Sequence, residues 1–281
     1  MPGSTWLEGV KIAWLSWGAP SDPLVVLVHG GAAHAWWWFD IAAALSDSYH
    51  VVAVDLSGHG DSYHRGHYTF AGWTDELCAI VRSIESPIPA VVVGHSMGGI
   101  VATLLATRND CPVRGLICVD SPVARTGSVH QTGEFTTLGS TLRSYPSRDE
   151  AARRFRLVPR QEVTAEDTLK LVGYHSVIEA TSGDGWIWKF DPRPFSEGIS
   201  DRPSSVEDVI RESKVPFSFI IGSESDVVDA HDRTLINELI TSRGGSASGW
   251  TYRPIGGAHH LMFDCPQELT AHLREAIGQF K

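Results

Sequence analysis

The sequence predicts an α/β fold, a mostly parallel sheet with helices on both faces. Three observations carry this expectation. Short runs such as Leu24–Val28, Val51–Asp55 and Ala90–Gly94 are apolar almost throughout rather than alternating, which is how a strand buried on both faces reads. Segments with helical spacing, such as Trp73–Ser83 and Met97–Thr107, lie between them, and that alternation implies crossovers between parallel strands. The third run leads through a glycine-flanked serine directly into a helical segment.

The remaining elements follow in order. Leu7–Trp17 reads as an N-terminal hairpin or edge strands. Leu116–Asp120 and Phe217–Gly222 are further buried strands, and Trp250–Pro254 is the last one. Pro266–Phe280 closes the chain as a helix with proline at its first position, where the missing N–H costs nothing. The alternation breaks after Asp120. Residues 124–213 hold no convincing apolar strand, are rich in Ser, Thr, Arg and Glu, and carry Pro146, Pro159, Pro192, Pro194 and Pro203. Helical segments such as Asp149–Arg156 and Thr164–Val172 fit there. The expectation is a core of residues 1–123 and 214–281, with an inserted helical cap at 124–213.

Composition narrows the function classes. The 281 residues suffice for one sizeable core, and 42% hydrophobic with 20% charged residues is the balance of a globular protein. A formal charge of −10 argues against a nucleic-acid or anionic membrane partner. The basic stretch Arg153, Arg154, Arg156 and Arg160 reads as a solvated helix face. Cys78, Cys111, Cys118 and Cys265 form no C-x-x-C pair, so neither a zinc site nor a disulfide framework is expected. No signal-peptide pattern opens the chain and no stretch approaches a membrane span, so a cytoplasmic location is expected. Trp36, Trp37 and Trp38 are consecutive and cannot all face one core, which makes them candidates for a cavity lining.

Gly94-His95-Ser96-Met97-Gly98 is a G-x-S-x-G motif set between a strand and a helix, the context a nucleophile elbow needs. The turn is tight enough that side chains at either glycine would collide with neighbouring backbone, and its central residue is strained. That strain lifts Ser96 to the carboxyl end of the sheet, where open α/β sheets bind ligands. The helix from Met97 aims its free N–H groups at the same point.

Acyl transfer also requires donors for a negative oxygen. Leu24–Val28 runs into His29-Gly30-Gly31-Ala32-Ala33-His34. The expected oxyanion hole pairs the N–H of Met97 with that of Gly31, with Ala32 as the alternative second donor. His29 is read as a brace for this loop, and His34 as either pocket-lining or exposed.

The motifs H-G-G at 29–31, D-L-S-G-H-G-D-S at 55–62 and G-H-S-M-G-G at 94–99, in this order and spacing, resemble the α/β-hydrolase superfamily over nearly the whole chain. The resemblance implies an α/β-hydrolase fold with a mostly parallel eight-stranded sheet. It also implies a Ser–Asp/Glu–His triad in that chain order and a cap inserted after the strand ending at Asp120. Asp55, Gly58 and Gly60 would shape a loop beside the site, with no catalytic role for His59 or Asp61.

The same resemblance places the catalytic base in the loop after the last strand, seven residues before the proline that opens the closing helix. Pro266 therefore selects His259 over the adjacent His260. The acid should follow the strand Phe217–Gly222. Relatives with a G-x-x-S-D pattern use that aspartate, so Asp226 is the first choice. Glu224 competes with it, Asp229 is better placed to begin a helix, and Asp120 stands as a different reading because some relatives draw the acid from the earlier strand.

These residues predict a serine hydrolase acting on an ester or lactone bond of a small to medium-sized molecule through an acyl-enzyme on Ser96, with no cofactor and no metal. Serine at the elbow disfavours the alkyl-enzyme chemistry of branches that carry aspartate there. Trp36, Trp37, Trp186 and Trp188 are the candidate substrate-binding residues, the last two from the aromatic cap stretch 185–192. Two alternatives stay open. One is a carbon–carbon bond hydrolase or lyase using the same triad, although the longer H-G-G-G-P motif is missing. The other is a receptor-like protein that binds a ligand without turnover.

Overall fold

The computed structural model describes residues 1–124, 143–203 and 205–280. Its strands are β1 (Pro2–Leu7), β2 (Val10–Trp17), β3 (Leu24–Val28), β4 (His50–Val54), β5 (Ala90–His95), β6 (Val113–Val119), β7 (Val177–Glu179), β8 (Trp186–Trp188), β9 (Phe217–Gly222) and β10 (Thr251–Ile255). Eight of them form one sheet in the order β1-β2-β4-β3-β5-β6-β9-β10. The β1–β2 and β2–β4 pairs are antiparallel and all other neighbours are parallel.

The described helices are α1 (Phe39–Leu45), α2 (Phe70–Ser83), α3 (Met97–Leu104), α4 (Arg148–Arg153), α5 (Glu166–His175), α6 (Arg193–Ser196), α7 (Glu207–Glu212), α8 (Ala230–Ser242), α9 (Leu261–Asp264) and α10 (Pro266–Gln279). The continuous apolar strands feed two cores, because successive side chains of a strand point to opposite faces. Val26, Val28, Val52, Val54, Val92 and Leu116 pack with residues of α2, α3, α7 and α8. Their neighbours Val25, Leu27, Val51, Ala53, Val91 and Ile117 pack on the other face with α1 and α10. Burial on both faces is the reason these strands show no polar alternation in sequence.

Two expectations need correction. The hairpin starts at Pro2 rather than near Leu7, with β1 alternating between exposed and half-buried positions. Such an edge strand has only one face to cover and leaves no apolar run. Segment 124–213 is also not purely helical. Between α5 and α6 it forms the antiparallel pair β7–β8, with Val177 opposite Trp188 and Glu179 opposite Trp186. Three-residue strands are too short to show a period.

The segment between β6 and β9 docks on the core through named polar contacts. Asp191 N–H donates to Gly58 O at 2.7 Å, and the Tyr68 hydroxyl donates to Asp191 Oδ2 at 2.7 Å. Asp201 accepts the N–H groups of Phe70 and Ala71 at the start of α2, at 2.7 and 2.9 Å. Thr164 and Ala165 both donate to Phe263 O at 3.0 Å. Among the described residues, no helix is long and apolar enough to cross a membrane.

Candidate active site

Ser96 sits between β5 and α3 with φ 53° and ψ −120°, a conformation that L-residues rarely adopt. Close backbone approach on either side demands the flanking glycines. A Cβ on Gly94 would lie 2.2 Å from Gly98 O, and one on Gly98 would lie 2.3 Å from His29 O. Ser96 N–H donates to Val119 O at 3.1 Å, and Ser96 O accepts from Ser121 Oγ at 2.8 Å. The elbow is thereby tied to the end of β6.

His259 lies in the turn between β10 and α9 and is buried. Its Nδ1 is 2.6 Å from Asp120 Oδ2 and its Nε2 is 3.1 Å from Ser96 Oγ. A carboxylate only accepts, so Nδ1–H donates to Asp120. That leaves Nε2 as the acceptor for the Ser96 hydroxyl proton. The structure therefore places Ser96, His259 and Asp120 in one hydrogen-bonded chain.

This corrects the expected acid. Asp226 is exposed, and so is Glu224. The turn after β9 closes with Ser225 N–H donating to Gly222 O at 3.1 Å, which sends Ser225 inward and Asp226 outward. Ser225 Oγ donates to Asp120 Oδ2 at 2.6 Å, and Gly222 N–H donates to Asp120 Oδ1 at 2.9 Å. Asp120 is fully buried, with φ 43°. Each of its oxygens has a donor, as a buried carboxylate requires. Strand register explains its position. His95 pairs with Val119 across β5–β6, so Asp120 is level with Ser96 on the adjacent strand. Asp229 instead caps α8, accepting from His231 N–H and Asp232 N–H at 2.8 and 2.9 Å.

The other histidines hold the frame. His29 Nδ1–H donates to Gly30 O at 2.7 Å, and its Nε2 accepts from Leu56 N–H at 3.1 Å, bracing the 29–34 loop. His95 Nε2–H donates to His259 O at 2.9 Å. His260 is buried with both ring nitrogens unpartnered among the described residues, its ring 5.3 Å from that of Trp37. Burial, then the neighbouring His259 and His95, hold its pKa well below the ordinary value. Gln161 clamps the same loop from the β6–β9 segment. Its Oε1 accepts His260 N–H at 2.8 Å and its Nε2 donates to His260 O at 3.3 Å.

His95, His259 and His260 bring ring nitrogens within 4.8 Å of one another, the spacing of a metal ligand set. Both nitrogens of His259 are engaged by Ser96 and Asp120, and His95 Nε2 by a carbonyl. A metal held by all three would have to break one of the two His259 contacts, to Ser96 or to Asp120.

The 29–34 loop abuts the elbow. A Cβ on Gly30 would stand 3.2 Å from Ser96 Cβ, and one on Gly31 would stand 3.9 Å from Met97 Sδ. No acceptor for the N–H of Gly31 or of Met97 occurs among the described residues. Gly31 opens into a cavity of about 280 Å³ that extends beneath the β6–β9 segment. Trp37 and Trp188 line it, as expected of them, whereas Trp36 and Trp186 do not. Trp36 stacks on His175 at 3.7 Å, since successive residues of the 3-10 turn Ala35–Trp38 point in different directions. Trp186 lies under Arg148, 5.4 Å from ring centre to guanidinium, two residues along β8 from the cavity. Sequence reasoning missed Gln161, which sits in no recognisable motif, and it drew Asp226 from the G-x-x-S-D pattern in which Ser225 is the residue that turns inward.

Comparison with known proteins matches this topology. A family model described as "Alpha/beta hydrolase family" matches residues 25–272. An esterase of Mycobacterium tuberculosis is 27% identical over 243 residues, covering 84% of this chain and 77% of that one. The crystal structure of E-2-(acetamidomethylene)succinate hydrolase superposes with a TM-score of 0.83 at 16% identity, covering 99% of both chains. A thioesterase domain from the curacin biosynthetic pathway superposes with a TM-score of 0.78 at 23% identity, covering 98% of both.

Proposed function

The chain belongs to the alpha/beta hydrolase family, and on that premise we propose that it is a serine hydrolase that cleaves an ester or lactone bond of a small to medium-sized molecule. The observation that carries this reading is the chain of contacts from Ser96 Oγ through His259 to Asp120, at 3.1 and 2.6 Å. A serine hydroxyl is a weak nucleophile until a positioned base takes its proton. Ser96 Oγ attacks the carbonyl carbon as its proton passes to His259 Nε2. Asp120 holds the imidazole in the required tautomer and stabilises the imidazolium that forms. The N–H groups of Gly31 and Met97 receive the oxyanion. The tetrahedral intermediate then collapses, and His259 returns its proton to the leaving alkoxide. Water, deprotonated by His259, attacks the acyl-enzyme; the second collapse frees the acid and restores Ser96.

Two features support an acyl-enzyme pathway. Preoriented backbone donors act on charge that develops only in the transition state, each worth about 3–4 kcal/mol. The cavity reaches the loop that carries one of those donors, so the scissile carbonyl and the remainder of the substrate have adjoining places. The esterase relative is consistent with this reaction class.

Turnover of nitrophenyl esters and aliphatic lactones of graded chain length, by wild type and Ser96→Ala, tests the proposal. Saturable hydrolysis that the variant loses by about 10⁴-fold or more is expected, the scale of removing a triad nucleophile. Tight ligand binding with no turnover would move the protein to the receptor-like reading. Activity confined to a carbon–carbon bond would move it to the other alternative.

A further inference from the structure

The part of the cavity beneath the β6–β9 segment is cationic, and the reaction scheme above does not use that charge. Arg143, Arg154, Arg156 and Lys189 line it, and no Asp or Glu does among the described residues. The chain as a whole has 33 acidic against 23 basic residues, so this lining runs against its composition. Arg154 and Arg156 belong to the stretch that reads in sequence as a solvated helix face. They are exposed, as that reading expects, and they also line the cavity where the chain leaves α4.

These charges are only partly compensated. Arg156 gives its Nη1 to the carbonyl oxygens of Arg153 and Phe155, at 2.9 and 2.6 Å. Arg143 stands 5.7 Å from the Tyr145 ring centre. No carboxylate pairs with Arg143, Arg154 or Arg156 among the described residues. Lys189 is different: its side chain is 10% exposed, and its Nζ is 2.6 Å from Oδ1 of the half-exposed Asp61. The rest of the lining includes Trp37, Phe155, Trp188 and Phe190. Arg143, Arg154 and Arg156 are exposed, so a charge pair made with them is open to screening by salt.

His34 adds a polar feature of a different kind to the same cavity. It lines the same cavity and is 3% exposed, yet its Nδ1 has no partner among the described residues. The Ser176 hydroxyl donates to Val172 O at 2.8 Å, so Ser176 Oγ accepts from His34 Nε2–H at 2.8 Å. Burial, then the nearby Lys189, hold His34 neutral. Its Nδ1 is therefore a bare acceptor, which a carboxylate oxygen cannot satisfy and which would take a hydroxyl or amide donor elsewhere on the ligand.

We propose that this cavity binds a carboxylate carried by the substrate, so that the preferred ester or lactone bears a free acid group on the side facing the β6–β9 segment. Arg154, Arg156 and Lys189 supply the charge, and the aromatic walls take the carbon chain between carboxylate and scissile carbonyl. The proposal rests on Ser96 being the nucleophile of an ester hydrolase.

The test compares three aryl esters on the wild-type protein. One is neutral (4-nitrophenyl butyrate), one carries the acid on the acyl side (4-nitrophenyl hemiglutarate) and one carries it on the alcohol side (4-acetoxybenzoate). One acidic ester is expected to exceed the neutral one in kcat/KM by about tenfold or more through KM, with the advantage shrinking as salt is added, since surface-reachable charge pairs are screened. Which acidic ester wins assigns the carboxylate to the acyl or the alcohol side. In Arg154→Gln/Arg156→Gln, and separately in Lys189→Met, the acidic-to-neutral ratio should fall by about tenfold, the scale of one charge-assisted contact. A ratio near one in the wild type, or one that both variants leave unchanged, overturns the proposal while leaving the hydrolase reading intact. If none of the three esters is cleaved and Ser96 takes no fluorophosphonate, the hydrolase reading fails and this proposal fails with it.

Discussion

Asp120 and His259 are 139 residues apart in sequence and 2.6 Å apart in the fold, both buried beneath Ser96. Asp120 serves three elements at once. It orients the imidazole from the β10–α9 turn, accepts Ser225 Oγ and Gly222 N–H from the end of β9, and is itself set by the last step of β6. A carboxylate so fully engaged fixes the histidine ring with little freedom left, and the exposed Asp226 offers nothing comparable.

Asp120→Asn should lower kcat by about 10³–10⁴-fold, because an amide in that place favours the wrong imidazole tautomer. Asp226→Asn should change kcat by less than about threefold, as expected of an exposed side chain remote from the chemistry. Ester turnover of the two variants side by side is the measurement. The reverse order of effects would restore Asp226 as the acid.

The elbow makes a prediction about stability. Gly98→Ala places a Cβ 2.3 Å from His29 O and 2.7 Å from Val28 O, both backbone atoms that cannot swing aside. The cost should exceed about 3 kcal/mol. Gly278→Ala is the matched control. It lies in α10 with nothing within 4 Å of the added carbon, and should stabilise by about 0.5–1 kcal/mol through helix propensity. Denaturant unfolding of both variants reads the contrast, and a Gly98→Ala protein as stable as wild type would refute the packing argument.

Acid should destabilise the fold steeply. Burial lowers the pKa of His29, His34, His59, His95 and His260, in His59 to about 4. A histidine depressed in the folded state binds its proton more readily when unfolded. Its stabilising contribution is complete above the ordinary value near 6.5 and is lost as pH falls toward the folded value, by about 1.4 kcal/mol per pH unit for each group. Asp55 works the other way. Burial raises its carboxyl to about 7, so it favours the folded state increasingly as pH drops from 7 toward its unfolded value. Burial raises Glu76 and Asp232 as well, so three carboxyls offset part of what the five histidines contribute. The urea midpoint should fall sharply between pH 6.5 and 5, and a flat profile there would contradict the buried neutral histidines.

Gln161 connects the β6–β9 segment to the turn that carries His259 and His260. Gln161→Ala removes both contacts to the His260 backbone and leaves a buried N–H unpaired, which lets the neighbouring His259 drift. A decrease in kcat of about tenfold with KM nearly unchanged is expected, since small misplacements of a catalytic group are costly. Gln161→Glu keeps the acceptor for His260 N–H and should recover part of the loss. Equal kinetics in all three proteins would show that the clamp does not position the base.

How much of this was legible in the sequence depended on whether the signal was local. The strand Leu24–Val28 and the glycines around Ser96 declare themselves because burial on both faces and close backbone approach restrict residue type at each position. His259 could be chosen over His260 only through the family resemblance, which implies a base seven residues before the proline that opens the closing helix. The acid could not, because Asp120 and Asp226 both follow a strand. Only the β5–β6 register, with His95 opposite Val119, puts Asp120 level with Ser96. The β7–β8 pair escaped notice because three residues per strand cannot show a period. Arg154 and Arg156 are exposed, as the basic stretch predicts, but no sequence pattern records that they also line a cavity.

The most direct test of the central claim is covalent labelling with a fluorophosphonate, read by intact mass and peptide mapping. The probe is attacked only by a serine whose proton has an acceptor in place. The account predicts one adduct per chain, on Ser96, absent in Ser96→Ala and slowed by about 10³-fold or more in His259→Ala. An adduct that persists in Ser96→Ala, or a folded wild-type protein that takes none, would contradict it.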